Sequence, residues 1–402
     1  LKRRLAEAER RGKLRALLLV APLLLFVLVS FVAPIVSLAR LSVYNDLIAG
    51  ALPETTRALA AWRPDAAVPE PLCEAFAREI KASKGIDPAL PSRIATFVNR
   101  ERAGSLSRIK QVANASELKS PYCAALAELN ADWASPEIWR ALKIAAPALT
   151  PRFLLQAVDL RLQADGGVRP ASEDQSLELM LFRRTALVAV AVTLFCGLLG
   201  YPVAYLLAHA ATRTANLLLI LVLLPFWTSL LVRTTAWIAL LQQKGVVNET
   251  LVALGIVADA HRPEMMYNMF ATLVVMTHVL LPFMILPLYS VMRGVSPNFR
   301  RAALSLGATP WTAFWRVYFP LTVPGLGAGA LLVFILAVGY YITPALVGGE
   351  SGQLISNIIA FHMQKTLNWP LASAIGMLLL VGVLLLYWLY NRLVGVERMK
   401  FA

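Results

Sequence analysis

The stretch SPNFRRAALSLGATPWTAFWRVYFPL, residues 296–321, decides how this chain is read. Ser296 before Pro297 and Thr309 before Pro310 each place a capping side chain ahead of a proline at the first helical position, two strong helix starts. Gly307 stands where the first of these helices must stop, because glycine accepts the left-handed backbone that closes a helix. Phe299, Ala302, Ala303 and Leu306 share one face of the first piece. Trp311, Phe314, Trp315 and Tyr318 share one face of the second, at the same i, i+3, i+4, i+7 spacing. The expectation is two short amphipathic helices meeting at a tight elbow, a polar-rimmed hairpin over 293–321 set between two long apolar runs.

Working outward, 58% of the 402 residues are hydrophobic and only 15% are charged, against about a quarter charged in an ordinary soluble domain. The chain therefore reads as an all-α, polytopic membrane protein. Apolar runs of about twenty residues, the length that crosses a bilayer, recur. They fall at 14–38, 185–209, 217–241, 268–292, 324–347 and 371–390, which predicts six spans. The first is too long for a cleaved signal peptide and is followed by Pro34 rather than a small-residue cleavage site.

A net charge of +14 looks at first like a nucleic-acid signal, but its distribution says otherwise. The basic residues lie in short segments beside the spans, where they report orientation. Lys2, Arg3, Arg4, Arg10, Arg11, Lys13 and Arg15 precede the first span, Arg213 lies between the second and third, and Arg293, Arg300, Arg301 and Arg316 follow the fourth. With Arg392, Arg398 and Lys400 at the end, all these segments fall on one side, which is then cytoplasmic. Both termini are expected inside, and no nucleic-acid partner is implied.

The expected organisation is a cytoplasmic segment 1–13, a first transmembrane helix 14–42, an outer insert 43–183, a membrane core of five helices 184–393, and a cytoplasmic tail 394–402. The insert has mixed charge, compatible with export of a long loop. Ser135-Pro136-Glu137 and Thr150-Pro151 are helix starts, followed by IWRALKIAA and RFLLQAVDLRLQ, so a small α-helical domain is expected. Nothing in it alternates like a sheet, and Gly166-Gly167 with Pro170 reads as a linker. Two of the three cysteines, Cys73 and Cys123, lie in this insert, where an oxidising compartment permits a disulfide. Two unpaired buried thiols are the alternative. The four histidines are scattered, and no Cys/His spacing suggests a metal.

No GxxxxGK[ST] phosphate loop occurs, so the chain does not use ATP by that machinery itself and needs no cofactor of its own. No Ser/His/Asp set or carboxylate pair suggests a catalytic residue. The predicted spans hold no Asp or Glu, which weighs against an ion-coupled carrier. A pathway subunit driven by a partner is the reading that remains, with a secondary transporter or channel working without ATP as the rival class.

The hairpin resembles the EAA loop of ABC importer permeases. Ala302 and Ala303 match the alanines, Gly307 the glycine, and Phe319-Pro320 the closing hydrophobic-proline pair, while Arg301 stands where that family usually has glutamate. The resemblance runs from about Arg184 to the C-terminus and takes in the first span. VTLFCGLLGYPVAYLLA, LPFWTSLLVRTTAWIALLQQKGVVN and ILAVGYYITPALVGG look like the spans of spermidine/putrescine-type permeases, whose connection after the first span is usually much shorter.

The resemblance implies a type I ABC importer permease core in a bacterial inner membrane, a second homologous permease, two copies of an ATPase carrying ATP and Mg, and a periplasmic binding protein. It implies that Phe299, Arg300, Arg301, Ala302, Ala303, Leu306, Gly307, Ala308, Pro310 and Pro320 meet the ATPase. An ordinary interfacial loop on the headgroups is the bland alternative.

Arg233 is the one basic residue well inside a span, and Trp227, Trp237, Tyr340 and Tyr341 are its aromatic neighbours in a candidate solute path. Interfacial anchoring explains the same residues equally well. His278 reads as a packing histidine. Gly325 and Gly329 form a GxxxG step at which another helix approaches, and Pro344 with Thr343 marks a bend or end of the fifth span. The expected solute is a polyamine, spermidine or putrescine, or a zwitterion such as γ-aminobutyrate, which Arg233 would suit.

Overall fold

The computed structural model describes residues 2–116, 118–172 and 176–394. Most of the expected tail, with Arg398 and Lys400, lies outside the described residues. Two compact units emerge, Leu1–Ser176 with Asn368–Met377, and Leu177–Leu367 with Leu378–Ala402. Among the described residues five helices are long and apolar enough to cross a membrane, or six if one bent pair is a single span. The fold is all-α and polytopic.

The insert is a helical domain with one short hairpin. Its core gathers Phe76, Trp133 and Trp139, whose ring centroids lie 5.0–5.5 Å apart, around the helix Glu70–Ile86. The two ends of the insert are pinned together: Asn45 N–H donates to the Ala148 carbonyl at 2.7 Å and Thr150 N–H to the Val43 carbonyl at 2.9 Å. Two acids of one helix cap two others from a distance. Glu79 accepts from the Glu54 and Thr55 N–H groups at 2.8 and 2.9 Å, and Glu70 accepts from Tyr122 and Cys123. Each carboxylate satisfies orphan donors at a positive helix end. Beside Glu70, Cys73 and Cys123 are joined by a disulfide.

Ser135 caps Pro136–Ala145, as its sequence signals. The run after Thr150 departs from expectation. Its helix is only Arg152–Gln156, because Asp159 adopts φ +56°, and the chain then forms an antiparallel pair, Leu160–Leu162 with Val168–Pro170. Gly166-Gly167 is thus the turn of a hairpin rather than a linker, with Gly166 at φ +87° and the Gly167 N–H held by the Asp165 carboxylate at 2.8 Å.

In the second unit, Glu178–His209, Met269–Gly294 and Phe319–Gly339 enclose a core that includes Val192, Cys196, Met276, Met284, Leu288 and Val333. The GxxxG step is where the fourth and fifth spans touch: a Cβ on Gly329 would lie 2.8 Å from Met284 Sδ and 3.0 Å from its carbonyl oxygen. The second span starts earlier than expected and so takes in Glu178, buried in its first turn.

Two spans differ from the sequence expectation in kind. The third is not continuous over 217–241; it is two arms, Thr212–Trp227 and Leu230–Ala253, bent by 98°. Pro225 brings no N–H to the ladder and opens a 3₁₀ turn, Leu224–Trp227. Its carbonyl is then taken by Thr228, N–H at 3.3 Å and hydroxyl at 2.9 Å. The fifth span is Pro310–Gly339, so the second piece of the hairpin is not a separate short helix but the first turns of that span. It ends before Tyr340 rather than at Val347, and Pro344 sits in a separate helix, Ile342–Val347. The carbonyls freed by this break are met by Ser356, donating to Val338 O at 2.7 Å, and Asn357, donating to Tyr341 O at 2.8 Å.

Candidate coupling hairpin and solute-facing cluster

The hairpin is built from local chemistry. Ser296 Oγ accepts from the Asn298 N–H at 3.4 Å, and Thr309 Oγ1 from the Thr312 N–H at 3.2 Å. Between them runs the helix Pro297–Ser305. Its end is a Schellman motif: Ala308 N–H reaches Ala303 O and Gly307 N–H reaches Leu304 O, both at 3.0 Å, with Gly307 at φ +89°. Nothing lies within 4 Å of a Cβ at Gly307, so backbone conformation alone demands glycine there.

None of the residues of Pro297–Ser305 is buried. Phe299 is 53% and Leu306 89% exposed; Arg300, Arg301, Ala302, Pro310 and Pro320 are exposed too, while Ala303 and Ala308 are half-buried. The expected apolar face of this helix is therefore open, with Trp311 beside it 71% exposed. Arg301, at the position of the family glutamate, is exposed, and no ion pair holds it among the described residues.

Residues of the second span that the sequence did not single out, Tyr201, Tyr205 and His209, anchor the hairpin through Phe314 and Tyr318 of its expected apolar face. Tyr318 packs edge-on against Tyr205 at 5.5 Å and lies 5.4 Å from His209, while Phe314 meets Tyr201 and Tyr205 at 6.2 and 6.0 Å. Tyr201 Oη hydrogen-bonds Thr322 Oγ1 at 2.9 Å. These contacts clamp the start of the fifth span to the end of the second. The only sequence hint is the i, i+4, i+8 spacing of Tyr201, Tyr205 and His209, which an apolar run hides.

The five residues proposed for a solute path are only partly brought together. Trp237 and Tyr340 pack on one cluster with Leu241, Val275 and Val279, and Arg233 is near enough for its charge to act on Tyr340 and His278. Trp227 stands apart beyond the bend, 75% exposed, and Tyr341 is 39% exposed. His278 joins the group instead, accepting from Trp237 Nε1 at 3.1 Å. The acceptor nitrogen is Nδ1, which leaves the proton of the neutral ring on Nε2. The buried Arg233 Nε has no hydrogen-bond partner among the described residues. Among those residues no group of three His, Cys, Asp or Glu side chains is placed to hold a metal ion.

Comparison with known proteins covers this half of the chain. Residues 199–395 match the family described as binding-protein-dependent transport system inner membrane component. The spermidine/putrescine transport system permease protein PotB of Haemophilus influenzae is 38% identical over 200 residues, 50% of this chain and 69% of that protein. Its namesake in Escherichia coli K12 is 37% identical over 211 residues, 52% of this chain and 76% of that one. The inner membrane ABC transporter permease protein YdcU of E. coli K12 is 32% identical, over 52% and 70%. Among solved structures, a bacterial ABC transporter importing the acidic polysaccharide alginate aligns at TM-score 0.43 and 19% identity, over 55% of this chain and 80% of its own. With more than two thirds of such relatives covered at this identity, the chain belongs to the binding-protein-dependent transport system inner membrane components, the permease subunits of ABC importers.

Proposed function

We propose that this chain is one of two permeases of an ATP-driven importer for polyamines, spermidine or putrescine, and that its open hairpin is the handle by which a separate ATPase moves the spans. The observation that carries the reading is the helix Pro297–Ser305, capped at both ends and with no buried residue, within a membrane core 37–38% identical to spermidine/putrescine permeases. A helix whose apolar face is left largely exposed is suited to a groove on another protein. Phe299, Ala302, Ala303 and Leu306 would enter it, with Arg300, Arg301, Ala308, Pro310 and Pro320 at its rim.

In this reading ATP and Mg belong to two ATPase copies, a periplasmic binding protein delivers the solute, and this chain catalyses no reaction. Both termini lie in the cytoplasm and the insert in the periplasm. Motion of the hairpin passes as a rigid-body displacement through the Tyr205–Tyr318 clamp into the second and fifth spans. One observation favours a second solute class: the unpartnered Arg233 suits the carboxylate of a zwitterion such as γ-aminobutyrate better than a polycation.

The test is ATPase stimulation of the reconstituted complex by its binding protein loaded in turn with spermidine, putrescine and γ-aminobutyrate. Stimulation by a polyamine is expected. Stimulation by γ-aminobutyrate alone would transfer the assignment to the zwitterion, and uptake that persists without the ATPase would overturn the importer reading.

A further inference from the structure

The membrane core holds two grooves, one of about 340 Å³ and one of about 510 Å³ that reaches Trp237 and His278 of the solute-facing cluster, and Leu273 lines both. Their walls are two facing stripes at helical spacing. On the second span the stripe runs from Arg184 through Leu187, Ala191 and Phe195 to Leu199, and on the fourth from Met269 through Leu273 to Leu281. Each wall keeps the i, i+3 or i+4 spacing of one helix face, and Leu273 is common to both hollows, which joins them into one furrow between these helices.

The furrow is charged at one end only. Arg183 and Arg184 stand at its mouth, while the deep part is lined by apolar side chains apart from Thr277, His278 and the Trp237 ring. Arg184 is partly engaged, donating to Glu350 O at 3.0 Å and Gln353 O at 3.4 Å. Arg183 is exposed, and no partner is recorded for its guanidinium among the described residues. Adjacent arginines at the outer end of a span run against the bias of basic residues toward the cytoplasm, so they call for a ligand of their own.

The length of the furrow is informative. From Met269 to Leu281 a helix rises about 18 Å, close to one leaflet of a hydrocarbon core about 30 Å thick. The lining offers no acid to a cationic solute.

We propose that this furrow binds an anionic phospholipid of the outer leaflet, its phosphate on Arg183 and Arg184 and one acyl chain along Leu187, Ala191, Phe195 and Leu199 toward mid-membrane. The assignment of the mouth to the outer face rests on the orientation given under Proposed function. Lipid seated there would brace the second span, one of the two spans the hairpin moves, against the fourth.

The full chain in nanodiscs holding equimolar phosphatidylglycerol and phosphatidylcholine, released and weighed by native mass spectrometry, tests this. Phosphatidylglycerol is expected to be retained in preference, with Arg183→Gln weakening retention about fivefold, the effect of one basic residue at a charged surface. Ala191→Trp, which fills the furrow, is expected to remove the bound lipid altogether. Equal retention of both lipids, or retention unchanged in both variants, overturns the proposal, as does an Ala191→Trp variant that blocks solute uptake while holding its lipid. The readout uses no solute or nucleotide, so a wrong polyamine assignment leaves it standing. A wrong orientation shows separately, as labelling of Arg183→Cys from the cytoplasmic side only.

Discussion

At Gly307 the backbone has φ +89° with open space around the α-carbon. A β-branched residue there meets no neighbour, yet the left-handed conformation costs it roughly 1–2 kcal/mol, and the Schellman bonds from Gly307 and Ala308 weaken with it. Gly307→Val is therefore expected to insert normally but to lose most solute-stimulated ATPase activity, while Gly307→Asn, which tolerates this conformation, retains much of it. Equal coupling in the two variants would remove the elbow from the mechanism. Arg152 is the other decisive single residue. It is 5% exposed, paired with Glu101 at 3.1 Å, and stacked over Phe97 and Phe153 at 4.5 Å from each centroid. Burial pushes its guanidinium below the ordinary arginine range, and Glu101 pulls it back. Arg152→Met leaves Glu101 without its partner and should destabilise the insert by about 3–5 kcal/mol. Thermal unfolding of the full chain should show most of that loss recovered by adding Glu101→Leu.

Among the elements, the two π turns share a cause. Leu28–Val32 is followed by Pro34 and Phe314–Tyr318 by Pro320, and in each the closing N–H reaches five residues back, Ala33 to Leu28 O and Phe319 to Phe314 O. The wider turn makes room for a proline ring that would otherwise clash with the carbonyl four residues earlier. In the fifth span this turn carries Phe314 and Tyr318, so it also sets which face of the helix meets Tyr201 and Tyr205. Helix contact elsewhere depends on bare backbone. Gly329→Ala forces a Cβ into Met284 and is expected to cost about 1–3 kcal/mol through overpacking, seen as a lowered melting temperature in detergent. Gly382→Ala, with nothing within 4 Å of the added carbon, should leave that temperature unchanged or raise it.

For the whole molecule, the disulfide closes a separation of 50 residues within the insert, and such a link typically contributes about 2–4 kcal/mol. Replacing Cys73 and Cys123 together by serine should make the insert several-fold more sensitive to protease while the spans stay resistant. In the wild-type chain thiol alkylation before reduction should be slight, since Cys196 is buried; ready labelling of Cys73 in cells would contradict an oxidising outer location.

Membrane class, the position of most spans, and both caps of the hairpin were legible in the residues alone. They depend on the length of an apolar run and on side chains within a few positions of the backbone groups they serve. Serine before proline caps a helix in any context, and Gly307 ends one for the same local reason. The carboxylate caps from Glu70 and Glu79, the clamp of Tyr205 on Tyr318 and the furrow between the second and fourth spans were decided by tertiary structure. Each needs groups distant along the chain to arrive at one place. In a sequence this apolar, a residue facing a partner helix and one facing lipid look alike, and only packing separates them.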